Sequence, residues 1–483
     1  MSKRNFTEEI LLRNRVYKDK VALLSENESI TYGDLESQVR QRASWLIEYG
    51  IKKGDTVSLS LLDQVDSLIT MLATILVGGI VASTNARSKI EKIQYQSEFV
   101  GSKLVIAEPF VAEKLTNLPV LTRDQVIEQS TGYPEWHGET ITDANDGIYM
   151  MWTSGTSSNN TRAILQKHVN AIEQNEFFAA QTLKLNHTDK VYTAAKMSYG
   201  FGLVIISYAL WVGAEILFDA GLVIPSRVRN NINKYQPTIF LAVPVVYSQL
   251  LDDGQVKTTA RCMSSGDRLP QQLIDKWEQH TGIKISNSMG CSETSATFLY
   301  NPKGTTALGF PVPSWNVRLV DAVGNVLPDN EVGFLEINSE YQPIGYFNNP
   351  ELSKQVFTEW LRNGDVCYRD SEGMYHHMGR AGDTIKINGQ YVNPVEIEEA
   401  IKGCPGVEQA VVVSKDNSNG IPHLEAFVVL QPNQTVDATT LKAWMNKQFE
   451  HYACPRSFHF ISEIPRTENG KIQRFRLREA INA

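Results

Sequence analysis

In the run Trp152-Thr153-Ser154-Gly155-Thr156-Ser157-Ser158, five hydroxyl side chains surround one glycine. Hydroxyls and backbone N–H groups on a tight turn are what a polyphosphate requires, because they are short donors with no bulk between them. A plain solvent loop has the same composition, so the run gains meaning only from what accompanies it. Four other segments supply charge. Ser286-Asn287-Ser288-Met289-Gly290-Cys291-Ser292-Glu293-Thr294 sets a carboxylate just after a glycine turn. Asn363-Gly364-Asp365 and Gly379-Arg380-Ala381-Gly382-Asp383 add an acid and an arginine. Glu468-Asn469-Gly470-Lys471-Ile472 offers one lysine on a turn. A hard divalent cation wants carboxylate oxygen such as that of Glu293, and a helix cap would want the same residue. Asp365 after a glycine is ordinarily a turn former. Most lysines are surface groups.

The elements that would hold these residues alternate between strand and helix. Ile148-Tyr149-Met150-Met151, just before the hydroxyl run, is apolar and strand-like. Residues 56–62, 103–107, 238–243 and 284–287 also read as strands, and 64–77 carries helical spacing. Such alternation predicts an α/β fold of mostly parallel sheets covered by helices. Ligands of these sheets sit at the carboxyl ends of strands, where 153–158 would lie. Beyond Gly379 the pattern becomes more compact: helix 394–401, strands 410–414 and 424–430, helix 438–450 and a basic tail. That is a second, small α+β domain of ordinary size.

Composition excludes several classes. The chain has 483 residues, 42% of them hydrophobic, which is too much for one ordinary domain. A net charge of −8 without a dense basic run argues against nucleic acid as a partner. Cys262, Cys291, Cys367, Cys404 and Cys454 show no C-x-x-C spacing, so neither a disulfide framework nor a thiolate zinc site is expected. Met1-Ser2-Lys3-Arg4-Asn5 leads into a charged helix rather than a signal core. The apolar runs 71–82 and 203–217 are short, or broken by Gly213 and Glu215, so no membrane span and a cytoplasmic setting are expected. No G-x-x-x-x-G-K-[ST] occurs, which disfavours a P-loop NTPase. Gly200-Phe201-Gly202 lacks the third glycine of a dinucleotide fingerprint.

Taken in order, the hydroxyl run, Ala195-Lys196-Met197-Ser198-Tyr199-Gly200-Phe201-Gly202, the Glu293 segment, Asp365, Arg380 and the Lys471 turn resemble the adenylate-forming superfamily. That group holds acyl- and aryl-CoA synthetases, peptide-synthetase adenylation domains and luciferases, and the likeness covers nearly the whole chain. Leu308-Gly309-Phe310-Pro311-Val312-Pro313 and Gly389-Gln390-Tyr391-Val392-Asn393-Pro394 look most like benzoate-CoA-ligase-type aryl ligases. The resemblance implies ATP, Mg²⁺ and a small carboxylic acid, with CoA or a carrier protein's phosphopantetheine thiol as acceptor. It implies an adenylation domain over 1–381 and a mobile domain over 382–483. Glycine at the hinge position, Gly382, permits the large φ/ψ change of a rotating domain.

By position in the family, Thr153, Ser154, Gly155, Thr156 and Ser157 would cradle phosphates and Glu293 would hold Mg²⁺. Ser292 would add a hydroxyl to the phosphates. Gly266, within Ser264-Ser265-Gly266-Asp267, and Asn287, Ser288, Met289 and Gly290 would line the adenine cleft. Asp365 would accept the ribose hydroxyls and Arg380 would donate to ribose or phosphate. Lys471 would bridge the carboxylate and the α-phosphate, where two anions meet and need neutralising. Lys386 would approach the adenylate after domain rotation. Tyr199, Gly200, Phe201 and Ala296 would form the acyl pocket, whose aromatic and small residues suit a flat ring. A short aliphatic or cinnamate-like acid stays open.

The chain also departs from the family pattern. The usual Pro-Lys-Gly after the hydroxyl run is replaced by Asn159-Asn160-Thr161-Arg162-Ala163. Counting back from His168 places Arg162 on the lysine position, and arginine pairs well with phosphates. Ala296 stands where benzoate ligases carry histidine, a lost polar contact that argues against benzoate itself. Lys471, Arg474, Arg476 and Arg478 would meet the CoA nucleotide or an acidic carrier protein acting in trans, or form a solvated helix face. The rival reading is a non-catalytic nucleotide-binding relative, against which stand Glu293, Asp365, Arg380 and Lys471.

Overall fold

The computed structural model describes residues 3–154, 161–381, 385–387, 390–392, 394–416, 422–449, 453–466 and 472–482. The chain divides into two compact units, Met1–Asn316 with Asn338–Leu361, and Val317–Ile337 with Arg362–Ala483.

Among the described residues, the first unit is built on a nine-stranded and a seven-stranded sheet. In the larger sheet, strands Val21–Leu24, Glu215–Leu217, Lys190–Thr193, Ile239–Ala242, Arg261–Ser264 and Ile285–Cys291 run parallel as neighbours in that order. In the smaller, Val120–Thr122, Leu104–Ala107, Thr56–Ser60, Ile80–Ser83 and Gly147–Ser154 do the same. Beyond these strands the sheets turn antiparallel, the larger at both edges, through Ser29–Thr31 and Ala296–Asn301, and the smaller through Thr161–Lys167. The strands expected at 56–62, 103–107, 238–243 and 284–287 are all present, the last running on to Cys291.

The two apolar runs are explained by burial between layers. Helix Val65–Leu76 buries every residue except Asp66, and helix Gly200–Trp211 buries all from Gly202 onward. A helix that is apolar all round belongs inside a core. Each is followed at once by a turn and a strand, Ile80–Ser83 and Glu215–Leu217. No helix among the described residues is long and apolar enough to cross a membrane. Around Trp277, which is fully buried, Phe240, Tyr247 and Ile285 fill the space behind the larger sheet.

The second unit carries a four-stranded sheet, a two-stranded ribbon and a three-stranded sheet among its described residues. In strand Pro422–Leu430, Leu424, Ala426 and Val428 pack into one cluster with Ile397, Ile401, Leu441 and Met445. Phe427 and Val429 face the opposite cluster with Ile464 and Leu477. The period of two follows from a sheet covered by helices on both faces. The helix expected over 438–450 ends at Met445, where a turn begins. Arg474, read from sequence as part of an exposed basic cluster, instead forms an ion pair with Glu398, its Nη2 2.9 Å from Oε2. Glu398 also accepts the Val412 N–H at 2.7 Å, so this arginine serves packing and not a partner.

Candidate active site

The hairpin of Gly147–Ser154 and Thr161–Lys167 places Thr153 opposite Arg162 and Ser154 opposite Thr161. The hairpin's second strand carries a third short strand, Gly345–Tyr346, with Tyr346 opposite Ile164. From there the Tyr346 phenol donates to Glu293 Oε1 at 3.3 Å. The Arg162 guanidinium lies 5.7 Å from the centre of the same ring. Burial, reinforced by the Glu293 charge, raises the Tyr346 phenol well above its ordinary pKa, so it is a donor at neutral pH. Gln166 Nε2 donates to Ser292 O at 3.2 Å, and the Tyr149 and Ser295 hydroxyls stand 3.1 Å apart, tying the hairpin to the turn that carries Glu293.

That turn joins strands Ile285–Cys291 and Ala296–Asn301, so Glu293 is not a helix cap. Gly290 is required there: a Cβ on it would stand 2.4 Å from Ala296 O. Ala296 is buried opposite Cys291. No other hydrogen bond from the described residues reaches the Glu293 carboxylate, and no cluster of three His, Cys, Asp or Glu that could hold a metal occurs among them. One carboxylate with an oxygen to spare fits an ion that takes its remaining ligands from phosphate and water, as Mg²⁺ does.

At the carboxyl ends of neighbouring parallel strands, Ser264 lies opposite Asn287. Ser265 Oγ donates to Ser288 O at 3.0 Å and Ser288 Oγ to Ser264 O at 3.2 Å. Gly266, at φ +84, follows in an open turn. Asn287 spends its amide donors on Thr306 O and Ala307 O, each at 3.1 Å, and its oxygen on Ser288 N at 3.0 Å. Met289 and Gly290 continue the strand.

Tyr199 caps the buried helix Gly200–Trp211, its hydroxyl accepting from Asn85 Nδ2 at 3.0 Å. A Cβ on Gly200 would come 3.0 Å from Met151 Sδ, and Phe201 follows in the first turn. The preceding loop is fixed by Asp63, which accepts the Met197 N–H at 3.1 Å. Burial pushes the Asp63 carboxyl up to about 6, with the Lys196 charge opposing.

In the second unit, Asp365 and Arg380 are opposite each other on paired strands. The Asp365 carboxylate is buried and takes three donors: His377 Nε2 at 3.1 Å, Arg380 Nε at 3.0 Å and Asn363 Nδ2 at 2.6 Å. Gly364 turns the chain at φ +86. Lys386 lies on Ile385–Ile387, opposite Tyr391. Gly155, Thr156, Ser157, Gly382 and Lys471 lie outside the described residues.

The structure therefore joins Thr153, Arg162 and Glu293 in one place and Asp365 with Arg380 in another. Sequence reasoning missed Tyr346 and His377. The signal for Tyr346 was weak: an aromatic residue in Gly345-Tyr346, just before the Asn349-capped helix Pro350–Val356.

A model described as AMP-binding enzyme matches residues 12–347, and one described as AMP-binding enzyme C-terminal domain matches 396–471. The 3-hydroxybenzoate–CoA ligase of Aromatoleum sp. (strain CIB) is 28% identical over 96% of this chain and 94% of its own. The benzoate–CoA ligase of Thauera aromatica is 29% identical over 95% and 93%. Among solved structures, an anthranilate CoA ligase in complex with anthranoyl-AMP superposes with a TM-score of 0.90 at 26% identity, covering 99% of this chain and 97% of that one. The first of these models spans well over half of the sequence, including both the hairpin and the turn that carries Glu293: the chain belongs to the AMP-binding enzyme family.

Proposed function

We propose that the chain is an ATP-dependent acid–thiol ligase that adenylates a small aromatic carboxylic acid, releases pyrophosphate and passes the acyl group to CoA with release of AMP. The observation that carries this reading is the convergence of Arg162, Tyr346 and Glu293 on the hydroxyl-bearing hairpin. Arg162 pairs with the outer phosphates, Thr153 to Ser157 donate to them, and Ser292 adds a hydroxyl. Glu293 holds Mg²⁺, which when bound neutralises phosphate charge and orients the triphosphate. Asp365 receives the ribose hydroxyls beside Arg380, and Ser264 to Gly266 with Ser288 to Gly290 form the adenine cleft.

Lys471 bridges the attacking carboxylate and the α-phosphate, cancelling the repulsion of two anions as the acyl–phosphate bond forms and pyrophosphate leaves. Rotation of a domain beginning near Gly382 then replaces Lys471 by Lys386, and the thiol displaces AMP. The relatives named for 3-hydroxybenzoate, benzoate and anthranilate, together with the Tyr199–Phe201 turn and the small Ala296, support an aromatic ring in the acyl pocket. Free CoA is the acceptor named for those relatives, and a carrier protein in trans would use the same thiol.

Carboxylate-dependent pyrophosphate exchange with Mg-ATP tests the reading across benzoate, hydroxy- and aminobenzoates, cinnamates and short fatty acids. Exchange with an aryl acid is expected, and Lys471→Ala is expected to abolish it while ATP still binds. Undiminished exchange in that variant, or none with any acid despite bound ATP, rejects the mechanism.

A further inference from the structure

The strongest unassigned feature beside the site is Tyr346. We infer that Tyr346 is a positioning residue that orients the Glu293 carboxylate for its cation and couples it to Arg162 through one aromatic ring. The inference rests on the reading of Glu293 as the Mg²⁺ ligand. Glu293 stands on a turn, where a glutamate has three side-chain torsions to settle. Tyr346 is fixed from several sides. Its strand pairs with Thr161–Lys167, with Gly345 opposite Leu165 and Tyr346 opposite Ile164. Its backbone N–H donates to Ser353 Oγ at 2.8 Å, and its ring packs 5.2 Å from that of Phe357. Gly345 makes the close approach possible, since a Cβ there would stand 2.7 Å from Ser353 Oγ.

A rigid donor thus meets an adjustable acceptor. The phenol holds one carboxylate oxygen at 3.3 Å and leaves the other to a cation. Groups that fix metal-binding side chains in this way change metal affinity by about 10- to 100-fold when removed. The same ring offers its face to the Arg162 guanidinium at 5.7 Å, within the range of a cation–π contact. One side chain therefore sets the spacing between the group assigned to the metal and the group assigned to the phosphates.

The test is a Mg²⁺ titration of ATP binding, read with a fluorescent ATP analogue and independent of turnover. Tyr346→Phe keeps the ring, the packing on Phe357 and the strand pairing, and removes the hydroxyl, which bonds Glu293 and also meets Arg162. It is expected to raise the half-saturating Mg²⁺ about tenfold, with metal-free ATP affinity and melting temperature close to wild type. Should that variant fold poorly, Tyr346→Met fills similar space and carries the same Mg²⁺ expectation. Tyr346→Leu also removes the ring and is expected to weaken metal-free ATP binding severalfold through Arg162. An unchanged Mg²⁺ midpoint in Tyr346→Phe, beside a lost Mg²⁺ response in Glu293→Gln, overturns the positioning role while leaving the metal ligand intact. A wild-type Mg²⁺ response in Glu293→Gln overturns the metal reading itself.

Discussion

Glu293 and Asp365 are both carboxylates placed just past a glycine, and their surroundings differ in kind. Glu293 rides on a turn between antiparallel strands, is half-buried and takes one long hydrogen bond, from Tyr346. Asp365 lies within a strand, is 2% exposed and takes donors from Asn363, His377 and Arg380. A carboxylate offers about four acceptor positions. In the function proposed above, Glu293 keeps most of them for an ion that comes and goes with the nucleotide. Asp365 has one left, while a ribose brings two hydroxyls. One donor must give way, and Arg380, whose side chain is 54% exposed, is the one with room to move. On that proposal the first site adds a ligand and the second exchanges one.

The glycines beside these carboxylates offer the sharpest way to break the comparison. Gly290 is there for space and Gly364 for backbone angle: a Cβ on Gly364 meets only Arg380 Nη1, at 3.7 Å, but its φ is +86. In Gly290→Ala the new Cβ collides with backbone that cannot rotate away. It is expected to cost ~3 kcal/mol or more and to lose Mg²⁺-dependent ATP binding at least 100-fold. Gly364→Ala is expected to cost ~1–2 kcal/mol from the left-handed φ alone. Urea unfolding of both variants, with ATP titration, measures the gap. Equal losses would show that the Glu293 turn has slack that the close contact denies.

A smaller effect probes the exchange at the ribose site. Asp365→Asn keeps the shape but turns an acceptor into a donor facing Arg380, Asn363 and His377. Hydrogen bonds to charged groups contribute ~1.5–3 kcal/mol each, so the KM for ATP is expected to rise about 10- to 100-fold. The Mg²⁺ midpoint is expected to stay where it was, because Tyr346 and Glu293 are untouched. Steady-state kinetics at two Mg²⁺ concentrations separate the two numbers. A shift of both together would mean that the carboxylates act as one site and not two.

How much of this was legible beforehand follows from the range of the interactions. Glu293 and Asp365 could be read because each sits in a short glycine-marked segment, and the parallel strands could be read because strands buried on both faces are continuous apolar runs. Tyr346 could not, since its partner strand lies at 161–167 and its acceptor at 293, neither of which sequence spacing relates to it. Asn287 looks like an adenine contact, yet its amide braces the carbonyls of 306 and 307. Arg474 looks like one of a basic cluster until the sheet brings Glu398 beside it. Local turn chemistry survives in a sequence, whereas pairings made by topology do not.

The smallest expected effect concerns the scaffold beside the hairpin rather than either carboxylate. His168 opens the helix after the hairpin of Gly147–Ser154 and Thr161–Lys167 and is fully buried. Its Nδ1 accepts the Phe6 N–H at 3.0 Å, so the ring carries its proton on Nε2, which has no hydrogen-bond partner among the described residues. Burial pushes its pKa down to about 3, with Asp146 opposing. Between that value and the ordinary 6.5 the unfolded chain holds a proton that the folded chain refuses, so stability falls as pH drops through this window and is level above it. The slope approaches ~1.4 kcal/mol per pH unit. His168→Gln keeps an acceptor for Phe6 without a titrating group, and its urea midpoint is expected to fall less than that of wild type between pH 7.5 and 5. A variant whose midpoint falls as steeply as wild type would place the acid sensitivity elsewhere in the scaffold.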